Sequence, residues 1–144
     1  VINHQKRPTA LLFPVSLCLT FILIAGCDDG PAVAPVTGTV TRDGKPVVGV
    51  MIEFQPETGA PSYAFTGPDG SYEMQYQVDR KGALLGKHRI SVTTPNEMTD
   101  PETGDTIRVR ETIPRAYNEE TTLEYTVEKG RNDFDIEIKG ERSK

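Results

Sequence analysis

From Val36 onward the chain repeats one pattern: apolar and polar residues alternate with period two, in short runs that end at Gly, Pro or Asp-Gly. Alternation sends successive side chains to opposite faces of a strand, so each run has one face to bury and one to leave in water. In "VTGTVT", Val36 and Val40 oppose Thr37, Thr39 and Thr41. The turn "DGKP" leads into "VVGVMIEF", where Val50, Ile52 and Phe54 share a face, and the two runs read as a hairpin. "SYAFTGPDGSYEMQY" repeats the device around Asp69-Gly70, with Tyr72, Met74 and Tyr76 set against Ser71, Glu73 and Gln75. His88, Ile90 and Val92 align in "GKHRISVTT", and Leu123, Tyr125 and Val127 align in "TLEYTV". In "NDFDIEI", Phe134, Ile136 and Ile138 align with acids opposite. No run in this part of the chain has helical spacing. Six or seven short strands punctuated by turns predict an all-β fold, an antiparallel β-sandwich. The long connection "PNEMTDPETGDTIRVRE" carries Ile107 and Val109 alternating with Arg108 and Arg110, which predicts a short edge strand inside it. The final "GERSK", residues 140–144, has no pattern to pair with and is expected to fray as a disordered tail.

The N-terminal part obeys a different rule. Lys6 and Arg7 precede a nearly unbroken apolar segment at residues 11–25 that carries no charge, the layout of a secretory signal. The run is shorter than the about 20 residues a spanning helix needs, and it contains Pro14. Ile24-Ala25-Gly26-Cys27 resembles the bacterial lipobox, in which small residues precede a cysteine that is lipidated and then becomes the new N-terminus. Small residues fit the peptidase, and only a thiol forms the thioether to diacylglycerol. The competing readings are ordinary signal cleavage, to which Ile24 is less suited, and an uncleaved anchor. On the lipobox reading, residues 1–26 are a signal peptide, Cys27 is the lipid attachment site, and residues 27–35, rich in Pro, Gly and Ala, are the lipidated cysteine and a linker. Several acyl chains make such an attachment effectively permanent. The expected location is the cell envelope, with the membrane and its face left open by Asp28.

Composition narrows the chemistry. A net charge of −5 gives no general attraction to phosphate backbones, so nucleic acid is not an expected partner. Removal of residues 1–26 takes His4 and Cys18 with it and leaves Cys27 and His88 as the sole cysteine and histidine, so no internal disulfide can form. His88 shares a strand face with Ile90 and Val92, which assigns it to packing rather than to catalysis. Asp100, Glu102 and Asp105 in the long connection offer at most weak calcium ligands, without EF-hand spacing, against the reading of a solvated acidic loop. Neither a catalytic residue, a cofactor site nor a metal site is expected. Tyr63, Tyr72, Tyr76, Tyr117 and Tyr125 are candidates for stacking on sugars, although alternation assigns Tyr72, Tyr76 and Tyr125 to the core and Trp is absent. Lys87, Arg89, Arg108 and Arg110 would form a basic strip if their two segments were neighbours.

"VTGTVTRDGKPVVGVMIEFQP", "TGPDGSYEM" and "GALLGKHRISVTT" together resemble the carboxypeptidase regulatory-like domain. "IPRAYNEETTLEYTVEKGRNDFDIEI" further resembles small lipoproteins of planctomycete-type bacteria that carry this domain alone. The resemblance covers most of residues 36–139 and implies a seven-stranded transthyretin-like, Ig-like sandwich. Its motifs are turn and core signatures, which identify a fold better than a function. Hydroxyisourate hydrolases of similar fold rely on several histidines and a C-terminal Tyr-Arg-Gly-Ser signature that this chain lacks. Isopeptide-forming adhesin domains need an inward lysine on an early strand, whereas Lys45 sits in the "DGKP" turn. The resulting expectation is a non-enzymatic, lipid-anchored cell-envelope protein acting as a structural or protein-interaction module. The alternative is an envelope polysaccharide-binding lipoprotein.

Overall fold

The computed structural model describes residues 30–100 and 102–140, so the segment read as a signal peptide, Cys27 and residues 141–144 of the expected tail lie outside the described residues. The alternation produces strands as expected, cut into short lengths by turns. In chain order they are β1 (Val33–Ala34), β2 (Val36–Arg42), β3 (Lys45–Pro46), β4 (Met51–Pro56) and β5 (Ser62–Phe65). Next come β6 (Ser71–Glu73), β7 (Gln75–Gln77), β8 (Arg80–Lys81), β9 (Ala83–Leu84) and β10 (Gly86–Thr93). The last five are β11 (Glu97–Thr99), β12 (Thr106–Arg108), β13 (Glu124–Val127), β14 (Asn132–Asp133) and β15 (Ile136–Ile138). The one helical element among the described residues is a 3-10 turn, Arg115–Tyr117.

Two principal sheets share one core. The larger runs β13-β10-β4-β5-β7-β8 and is antiparallel throughout. The smaller is built on β2, flanked by β14 and β15 on one side and by β3 and β6 on the other. Val36 and Val40 of β2, Ile52 and Phe54 of β4, Ile90 and Val92 of β10, and Ile136 and Ile138 of β15 all point into the space between the sheets and are buried. Phe134 crosses that space: its ring centroid lies 6.1 Å from Phe54 and 4.6 Å from Tyr125, in tilted and edge geometries that aromatic pairs favour.

Three details differ from the simple alternating picture. Pairing is antiparallel except where β14 and β15 run parallel to β2, because the chain comes back to its first long strand at the end where that strand begins. Thr37 Oγ1 donates to Asp133 at 2.6 Å, and Thr39 donates both its amide and its hydroxyl to Asp135 at 2.8 Å, so the acids opposite the apolar face bind this seam.

The run "SYEMQYQ" reads as one strand but is two: β6 pairs with β2 in the smaller sheet, and β7 pairs with β5 in the larger. Met74, fully buried, is the crossing point, and its amide donates to Val36 at 2.9 Å. The pairing of β7 with β8 then shifts register between Gln75 and Gln77, and Tyr76, expected in the core, lies within that irregularity and ends half-buried.

The segment read as linker is partly folded. β1 pairs with β9, Leu85 donates its amide to Ala32 at 3.1 Å, and Ala34 joins the core, so the domain begins before Val36. Two small apolar residues opposite Ala83 and Leu84 are enough to recruit a short strand. The long connection also contains the strand expected of it, but β11 and β12 pair with each other and not with a principal sheet.

Candidate functional site

The outward face of the larger sheet carries the most chemistry. In β5 the small residues Ser62 and Ala64 point inward and are buried, which turns Tyr63 and Phe65 outward, 40% and 61% exposed. Inward space opposite β5 is already filled by core side chains, so the bulkier residues have only solvent to face. With Tyr76 and Val78, which is 91% exposed, they line a shallow groove of about 500 Å3, edged by Glu73, Gln75 and Gln77. Arg80 stacks its guanidinium 5.7 Å from the Tyr76 ring centroid, a cation–π contact. Lys81 pairs with Glu73 at 2.7 Å beside it.

A polar groove of about 340 Å3 lies further across the same face, between Glu53, Gln55, Arg89, Ser91, Thr93, Asn118 and Glu119. Glu53 joins the two regions, accepting from Tyr63 Oη at 3.4 Å and from Ser91 Oγ at 3.4 Å. Desolvation, followed by the charge and hydrogen bond of Glu53, raises the Tyr63 phenol above its ordinary value. Arg89 donates to the Glu119 carbonyl at 3.3 Å, which fixes the far wall.

His88 is on the inward face, as its phase in β10 requires, and is 1% exposed. Its ring lies 5.7 Å from Phe54 and opposite Pro56 and Tyr125 on the neighbouring strands. Nδ1 is 3.0 Å from the Gly86 carbonyl, an acceptor, so Nδ1 carries the proton and Nε2 is left as a bare lone pair without a partner among the described residues. Burial lowers its pKa below 6.5, against the opposing effect of the Gly86 bond. A base in this position cannot reach a substrate proton without opening the core.

The other residues picked out in the sequence are dispersed. Tyr72 is buried, with its hydroxyl donating to the Phe134 carbonyl at 2.5 Å, and burial drives its pKa far up. Tyr117 Oη donates to the Glu137 carbonyl at 3.2 Å and accepts from the Lys139 amide at 2.9 Å, pinning the 3-10 turn to β15. Tyr125 packs on Phe134.

The basic strip does not assemble. Lys87 pairs with Glu124 at 2.7 Å near the start of β10, while Arg108 lies in the hairpin that follows its other end, about 20 Å along the strand. Asp100 uses its carboxylate to accept from the amides of Glu102 and Thr103, closing its own turn. Among the described residues no three His, Cys, Asp or Glu side chains gather as metal ligands. Lys45 is exposed. Also among the described residues, no helix is long and apolar enough to cross a membrane.

Phe65 and Val78 were not singled out in the sequence. The available signal was the order small-large-small-large in "SYAF", which reverses the usual allocation of bulk to the inward face.

No protein-family model matches the chain, and no curated protein matches it. Among solved structures, it is similar to a DUF3823 family protein from Parabacteroides merdae, with 15% identity and a TM-score of 0.41. The similarity covers 76% of this chain and 47% of that one, so the chain spans about half the length of its structural neighbour.

Proposed function

We propose that this chain is a non-enzymatic, lipid-anchored domain of the bacterial cell envelope, held by Cys27 and acting as a structural or protein-interaction module. Within that reading the sandwich is of the carboxypeptidase regulatory-like, transthyretin-like kind. The observation that carries the proposal is the outer face of the larger sheet, which exposes Phe65 and Val78 next to the polar groove around Glu53 and Arg89. Contiguous exposed apolar surface rimmed by polar groups marks a contact site more often than a catalytic one. The enclosure of His88 supports the same reading, since general-base work requires a reachable lone pair.

The second reading is an envelope polysaccharide-binding lipoprotein. It is favoured by one observation: Tyr63, Phe65 and Tyr76 line a single groove edged by Gln75 and Gln77, a combination of ring faces and amides that suits a sugar.

In-cell crosslinking of the tagged lipoprotein tests both, with proteins and sugars analysed in the recovered material. Reproducible protein crosslinks that map to Glu53, Arg89 or Glu119 support the module. Polysaccharide recovered without a protein partner supports the second reading. Catalytic turnover that is lost in His88→Ala, with the fold retained, would overturn both.

A further inference from the structure

We infer that the groove formed by Tyr63, Phe65, Tyr76 and Val78 rests on the surface of the lipid bilayer to which Cys27 is attached. The inference deepens the lipid-anchored reading and rests on it. Its basis is where the described chain begins. Pro31 is fastened to the domain by its carbonyl oxygen, which accepts from Arg80 Nη2 at 2.7 Å, and β1 follows immediately, paired to β9. Arg80 is the residue that stacks on Tyr76, so the start of the folded domain and the groove share one side chain.

Three chain steps lead from Cys27 to Gly30, and a chain extends at most about 3.6 Å per step, so the acylated cysteine stays within about 11 Å of Gly30 whatever path it takes. The bilayer is therefore held within reach of the groove. A free glycan or a second copy must arrive by diffusion, whereas the tether holds the membrane at a high effective concentration.

The side chains suit that occupant. Val78, 91% exposed where β7 turns into β8, is an apolar tip with nothing of its own domain to cover it. Tyr63 and Tyr76 combine an apolar ring with a polar hydroxyl, the chemistry of residues that settle at headgroup level. Arg80 and Lys81 follow in the next two-residue strand, and because Lys81 is paired with Glu73 at 2.7 Å the contact rests on the apolar and aromatic side chains and not on net charge. The sheet then stands with β7 and β8 against the membrane and β13, at the other edge, away from it. Docking fixes the orientation of a domain that the lipid alone would leave free to swivel.

The test uses full-length acylated protein in phosphatidylcholine–phosphatidylglycerol vesicles. Cys27 is consumed by the lipid, so a single introduced thiol takes the fluorophore: Val78→Cys at the groove, and Thr126→Cys on β13 as the far-edge control. Four strand spacings, about 19 Å, separate β7 from β13. Both positions are exposed, so neither label disturbs the core. The expected result is that the label at 78 is quenched several-fold more by nitroxide-bearing lipid, and several-fold less by aqueous iodide, than the label at 126. Flotation with the vesicles is measured first. A protein that neither carries acyl chains nor floats removes the lipid-anchored reading and this inference with it. A protein that floats, with equal quenching at the two sites, removes this inference alone. Shielding of position 78 in lipid-free protein that sediments as a dimer would assign the groove to a second copy and overturn the inference. Shielding that requires added envelope polysaccharide would overturn it in favour of the sugar.

Discussion

Arg80 bridges Pro31 and Tyr76: its Nη2 donates to the Pro31 carbonyl at 2.7 Å, and its guanidinium carbon lies 5.7 Å from the Tyr76 ring centroid. One side chain thereby ties the first described residues to the strand that edges the exposed groove. Replacement of Arg80 by Ala removes both contacts. Amide exchange at Val33, Ala34 and Leu85 should accelerate in Arg80→Ala, because the β1–β9 pair and the Leu85-to-Ala32 bond lose their brace, while exchange in β13 stays unchanged. Unaltered protection in β1 and β9 would show that strand pairing alone holds this segment.

Gly38 tests the seam between the first and last long strands. A Cβ at this position would run into the backbone carbonyl of Phe134 and the ring of Tyr72, neither of which is a flexible chain end. Gly38→Ala should therefore lower stability by about 3 kcal/mol, at the upper end of the range for overpacking, read as a shift in the denaturation midpoint at unchanged slope. A shift under about 0.5 kcal/mol, the scatter of an ordinary surface change, would contradict the close approach.

Most of this architecture was legible because period-two alternation is a strong physical constraint. Val36, Val40, Ile52, Phe54, Ile90 and Val92 had to share an interior, and they do. The crossing at Met74 was not legible, since moving a chain from one sheet to another changes pairing partners without changing the residue types that follow. Tyr76 was misplaced because the register shift between Gln75 and Gln77 likewise leaves no mark on the residue pattern. The outward turn of Tyr63 and Phe65 depends on how much space other strands leave opposite β5, which is a property of the assembled core and not of "SYAF" itself. Lys87, Arg89, Arg108 and Arg110 fail to meet because β11 and β12 form their own hairpin instead of extending the sheet.

His88 makes stability depend on pH in a calculable direction. In the unfolded chain it titrates near 6.5, and in the folded protein burial holds it lower, with aromatic neighbours and no ionised partner across from it. The unfolded state consequently binds more protons as the pH falls through 6.5, and stability drops until the folded group also protonates. His88→Phe keeps an aromatic ring in the site and removes the proton. The melting temperature of the native protein relative to His88→Phe should fall between pH 7 and pH 5. A constant difference across that interval would mean that His88 is hydrated in the folded state.

Glu111 acts in the opposite range. Partial burial raises its pKa, but hydrogen bonds from Ile113 at 2.8 Å and from Thr94 at 3.0 and 3.1 Å outweigh this and hold the group below 4.5. Its contribution is present above the unfolded value of 4.5 and is lost as the pH falls through the lower folded value. Glu111→Gln should be less stable than the native protein at pH 7, with the gap closing in chemical denaturation at pH 3. A gap that persists at pH 3 would assign the effect to shape and not to charge.

Intact-mass and peptide mass spectrometry of the mature protein, extracted from bacterial membranes, address the proposed lipid on Cys27 directly. The expected result is an N-terminal peptide that begins at Cys27 and carries a diacylglyceryl thioether, with residues 1–26 gone, and only unprocessed, unacylated precursor from Cys27→Ser. A mature protein with a free Cys27 thiol, or one cleaved elsewhere and released from the membrane, would rule out the lipid anchor.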